Sequence, residues 1–67
     1  MQLSARNQFK GTVKSIQLGA IMAEVVVDMG GQQIVAEITK SSVERLGLKQ
    51  GDSVTAIVKS TEVMIGK

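Results

Sequence analysis

Ser4, Arg6 and Asn7 place a hydroxyl, a guanidinium and a carboxamide within four consecutive residues. A second set of donors, Thr39, Ser41 and Ser42, stands where the residue pattern turns helical. A third, Lys59-Ser60-Thr61, falls between two stretches that alternate like strands. Neutral donors with one or two cations are the chemistry of oxyanion binding, because hydrogen bonds to a charged group each contribute about 1.5–3 kcal/mol. Each residue also has a plainer use. Thr39 and Ser42 can cap a helix, Lys59 can sit in solvent at a strand end, and Arg6 can form a surface ion pair. Three such groups in one small chain raise the odds of small-anion binding and leave these separate uses open.

The residues needed to transform such an anion are missing. There is no His and no Cys, so the usual acid–base and nucleophilic pairs and the soft-metal ligands are absent. The acids, Glu24, Asp28, Glu37, Glu44, Asp52 and Glu62, are never adjacent and fall on outer faces and turns. No carboxylate cluster for a divalent cation emerges. The chain reads as a binding protein and not as an enzyme, with no covalent cofactor.

The elements that must position these donors are mostly strands. Phe9 and Val13, then Ile16 and Leu18, are apolar, with a switch of parity near Lys14-Ser15. One extra residue in a strand does this, so a bulge is expected there. Phe9 shares the parity of Val13 and is expected in the core. Ala20–Met29 alternates over Ile21, Ala23, Val25, Val27 and Met29, and Gly30-Gly31 signals a hairpin. Gln33–Thr39 returns with Ile34, Ala36 and Ile38 inward. Ser41-Ser42-Val43-Glu44 matches a capping box, and Thr39 is an alternative N-cap. A helix of about two turns then stops at Gly47. Ser53–Lys59 and Thr61–Ile65 read as the last two strands, with Val54, Ala56, Val58, Val63 and Ile65 inward. Three strands, a short helix and two strands give an all-β fold: an OB-like five-stranded Greek-key barrel with its helix between strands three and four. Residues 1–67 form a single domain on this reading.

Sixty-seven residues without Cys or metal ligands make a marginal core. Oligomerisation is the remaining support. Apolar residues on nominally outer faces (Met22, Val26, Val35, Ile57 and Met64) agree with that. Net charge is +2, but residues 1–23 hold Arg6, Lys10 and Lys14 and no acid. A local basic excess in a nearly neutral chain suits a small anion better than a long polyanion. A small OB-type single-stranded nucleic-acid-binding module is the alternative. One Phe with no Tyr or Trp argues against it, since such modules stack bases on aromatic rings. No stretch reads as a membrane helix or a secretory leader, so a cytoplasmic location is expected.

The string Ser4-Ala5-Arg6-Asn7-Gln8-Phe9-Lys10-Gly11 resembles the signature of the molbindins, the Mop-type molybdate-binding proteins. The likeness continues through Ala36-Glu37-Ile38-Thr39, Ser42–Leu48 and Val58–Ile65. It implies an OB-like barrel that assembles as a homohexamer, a trimer of dimers, with molybdate or tungstate held between subunits. It also implies that Ser4, Ala5 and Arg6 of one subunit meet Thr39, Ser42, Lys59 and Ser60 of another, some relatives having Ala in place of Ser60. Gly19, Ala20, Ile21 and Met22 are implied as backbone donors of a second oxyanion site on the assembly axis. Storage and homeostasis of the anion is the function that follows from the resemblance.

Overall fold

The computed structural model describes residues 1–67. Four strands form one antiparallel sheet: β1 (Asn7–Leu18), β2 (Met22–Asp28), β3 (Gln33–Thr39) and β4 (Ser53–Val58). Their spatial order is β3-β2-β1-β4. One helix, α1 (Lys40–Leu46), follows β3. The long β1 spans the sheet. Its first half, Asn7–Thr12, pairs with β4, and its second half, Thr12–Leu18, pairs with β2. One strand can serve two partners because it bends. The register slips between Val13 and Ser15, at the predicted bulge, and an extra residue in a ladder increases local coiling. Gly11 lies in the same bend. A Cβ there would stand 2.6 Å from both the Asp28 carbonyl oxygen and Val27 Cγ1, so only glycine lets β1 cross β2 this closely.

The hairpin between β2 and β3 turns at Gly30 (φ 77°) and Gly31 (φ 97°), a left-handed pair that side chains disfavour. Asp28 Oδ1 accepts from both glycine N–H groups at 3.1 and 3.3 Å. The helix starts at Thr39, whose hydroxyl accepts from the Ser42 N–H, and ends at Gly47. Ser41 therefore lies inside the first turn, and the predicted box from Ser41 to Glu44 is not the cap used.

The fully buried core is Val13, Ala23, Val25, Val27 and Val43. Ile34, Ala36, Ile38 and Val54 pack against it only partly covered. They border a groove of about 520 Å³ between the two edge strands β3 and β4, which do not pair with each other. Total accessible surface is 5463 Å², whereas a compact monomer of 7.1 kDa should expose roughly 4,100 Å². The chain exposes about a third more than its mass warrants.

Two expectations meet a different outcome. The predicted fifth strand, Thr61–Ile65, is absent: Ser60–Glu62 forms a single 3-10 turn, and Val63 and Ile65 are 48% and 91% exposed. Alternation alone cannot make a strand; a ladder needs a partner edge, and within the chain the tail reaches none. Phe9 is 44% exposed, not in the core. It pairs with Ala56 on β4, an edge strand with no further strand beside it to cover the ring. Ile21, read as inward, lies ahead of β2 and is 75% exposed.

Candidate functional site

The chain gathers its donors into two clusters at opposite ends of β1. The first is at the N-terminal end. Asn7 pairs with Val58 in the β1–β4 ladder, which sets residues 4–6 beside the turn that follows β4. Asn7 Nδ2 donates to Ser60 Oγ at 3.3 Å, joining residues far apart in sequence. The segment before β1 is itself folded back: the Gln8 N–H donates to the Arg6 carbonyl at 3.1 Å, and Gln8 Nε2 donates to the Ala5 carbonyl. Beyond β4 the Lys59 carbonyl accepts from the Glu62 N–H at 2.9 Å, closing the turn. Ser4, Arg6, Lys59 and Ser60 are exposed there, and Ala5 is half-buried. Two cations, two hydroxyls and backbone amides thus share one end of the sheet. No carboxylate is hydrogen-bonded to any of these side chains.

The second cluster is at the far end, where Met22 pairs with Thr39 across β2 and β3. Thr39 Oγ1 accepts from the Ser42 N–H at 3.1 Å and donates to Ser42 Oγ at 2.7 Å. It also lies 3.2 Å from Ser41 Oγ. The plain capping role of Thr39 is therefore realised. Ser42 Oγ, having accepted from Thr39, retains its own proton for another acceptor. The Leu18–Met22 turn is part of this cluster. Its closing bond runs from the Gly19 N–H to the Met22 carbonyl at 2.8 Å, and the Ile21 carbonyl accepts from the Lys40 N–H at 2.7 Å. A shallow pocket lined by Ala20, Ile21, Thr39, Lys40, Ser41 and Glu44 opens between turn and helix. The amide of Gly19 is already used inside the turn, so it is not available as an anion donor in this conformation.

Within one chain the ladder and the Asn7–Ser60 bond thus bring the start of β1 beside Ser60, while Thr39 shares its end of the sheet with Ala20, Ile21 and Met22. The clusters lie at the two ends of the twelve-residue β1, which bends at its bulge, in a chain whose longest dimension is 34 Å. The intrachain link between Asn7 and Ser60 was not legible in sequence. Asn7 reads as a donor, but nothing local reveals a partner beyond β4.

A family model described as the TOBE domain matches residues 3–65. Molybdenum-pterin-binding protein 1 of Clostridium pasteurianum is 52% identical over 66 residues, 97% of each chain. The solved molybdate-binding protein from Sporomusa ovata superposes with a TM-score of 0.95 at 48% identity, with full coverage of both chains. The molybdate-bound structure of the cytoplasmic molybdate-binding protein ModG matches with a TM-score of 0.84 at 46% identity, over 90% of this chain and 43% of that one. The chain belongs to the TOBE-domain family and, within it, to the molbindins. Its OB-like fold, with four strands in the isolated chain and one short helix, is the fold of those neighbours.

Proposed function

We propose that the chain binds a tetrahedral oxyanion, molybdate or tungstate, at interfaces between copies of itself, and that it stores the anion in the cytoplasm without transforming it. The observation that carries this reading is the separation of the donor clusters. Each offers hydroxyls and backbone donors, but only the first has two exposed cations, Arg6 and Lys59. The resemblance groups Lys59 and Ser60 with Thr39 and Ser42 on one subunit; because the single chain sets Ser60 beside Asn7, we read the dianion as held between the N-terminal and Lys59–Ser60 end of one chain and the helix end of another. The excess of exposed surface supports an assembled state, and so does the groove between two unpaired strand edges. The apolar tail around Met64 and Ile65, each 91% exposed, is a second surface for a partner copy to cover. The homohexamer, built as a trimer of dimers, is the assembly we infer.

Lys59 and Arg6 would neutralise the anion, and the Ser4, Ser42 and Ser60 hydroxyls with the Ala5 amide would donate to its oxygens. Thr39 supports Ser42. The Ala20 and Ile21 amides would contribute to a second site as they stand, and the Gly19 amide only where the assembly breaks its bond to Met22. Molybdate and tungstate are not distinguished by this chemistry, since both are tetrahedral dianions of similar size. Native mass spectrometry with and without molybdate tests the reading directly. Hexamers carrying added molybdate are expected. Monomers that bind it fully, or hexamers that bind none, would overturn it.

A further inference from the structure

We infer that Asn7 is a positioning residue for the oxyanion site, acting through Ser60. The inference rests on the proposed anion site. Asn7 Nδ2 donates to Ser60 Oγ. A serine hydroxyl has one proton and two lone pairs. With one lone pair engaged by Asn7, the proton cannot point back along the same direction and is left for an acceptor outside the chain. A molybdate oxygen can only accept. Asn7 therefore fixes Ser60 in the one state useful to a fully deprotonated oxyanion. Asn7 is suited to this because its backbone is held in register with Val58 and its side chain is half-buried, while the Ser60 hydroxyl lies on the adjoining turn. The residue also stands directly after Ser4, Ala5 and Arg6, so one bond ties both halves of the cationic cluster together.

A double-mutant cycle in the full-length assembled protein decides this, with molybdate affinity measured by calorimetry. Asn7→Ala should weaken binding by about two- to tenfold, the range of one net neutral hydrogen bond. In an S60A background the same substitution should change nothing. Equal losses in both backgrounds, or no loss in the parent, would overturn the inference, because Asn7 would then act by another route or not at all. Melting temperature and subunit number are read on the same samples, and neither should move. If Asn7→Ala disturbs assembly, near-isosteric Asn7→Asp replaces it in the cycle. Its carboxylate accepts the Ser60 proton and turns lone pairs toward the anion, so its loss should be larger with Ser60 present than in S60A. An equal loss would again overturn the inference. If the parent protein does not bind molybdate, the proposed function fails. If it binds and the cycle is additive, only the role of Asn7 fails.

Discussion

Subunit complementation tests the division of the site between chains. Two single variants are needed: Lys59→Ala, which removes a cation from the cluster beside Ser60, and Ser42→Ala, which removes a donor from the cluster beside Thr39. Loss of a charge-assisted contact costs about 1.5–3 kcal/mol, and loss of Lys59 is expected at the upper end because a buried dianion is left undercompensated. One decade corresponds to about 1.36 kcal/mol, so each variant alone should lose roughly ten- to a hundredfold in affinity. The variants are then unfolded, mixed in equal amounts and reassembled. If a site takes its Lys59 end from one chain and its Ser42 end from the next, an intact site forms wherever an unaltered Lys59 end meets an unaltered Ser42 end. Random assembly across a subunit interface gives about one site in four of parental affinity. If both ends came from one chain, every site would be damaged and none would recover. Calorimetry or equilibrium dialysis at anion concentrations below the variants' dissociation constants counts the tight sites. A reassembled mixture with no tight sites would refute the intersubunit arrangement, provided parental protein taken through the same unfolding regains full capacity.

The other predictions concern the surfaces and bends that hold the clusters in place. Ile65→Lys puts a charge on a residue that is 91% exposed in the single chain, so it should be harmless to a monomer. It should dissociate an assembly that covers the tail, shifting sedimentation toward the monomer at micromolar concentration; an unchanged hexamer would mean the tail stays in solvent. Gly11→Ala drives a Cβ to 2.6 Å from the Asp28 carbonyl oxygen and Val27 Cγ1. The strained crossing should cost about 1–3 kcal/mol by denaturant titration, and a neutral result would show that β1 relaxes without cost.

Much of the architecture is legible in the sequence because short-range rules govern it. The parity switch at Lys14-Ser15 predicts the bulge, and Gly30-Gly31 predicts the hairpin, since each depends on a few adjacent residues. The hydroxyls of Thr39 and Ser42 also announce the helix start, although which residue caps it depends on packing. What the sequence does not reveal is whether an alternating segment finds a partner. Val63 and Ile65 alternate like any strand but stand in solvent, and Phe9 has core parity but sits over an edge strand. The same limit hides the bond from Asn7 to Ser60, which exists because β1 and β4 pair, not because of any local pattern.

The failed fifth strand and the surplus surface have one physical origin. The alternation in Thr61–Ile65 and the apolar residues lining the groove describe burial that a lone chain does not achieve. Five buried side chains are a slender core for a domain lacking disulfides and metals. Assembly would add to that core the groove residues of β3 and β4. It would also bring the Arg6–Lys59 end of one chain to the Thr39–Ser42 end of another, so that stability and anion binding would rest on the same contact. A ligand that binds only the assembled form stabilises it by mass action, about 2.7 kcal/mol at a hundred times its dissociation constant. Molybdate should therefore raise the melting temperature and resist dissociation on dilution together. A rise in one without the other would separate the two roles and place the anion away from the subunit interface.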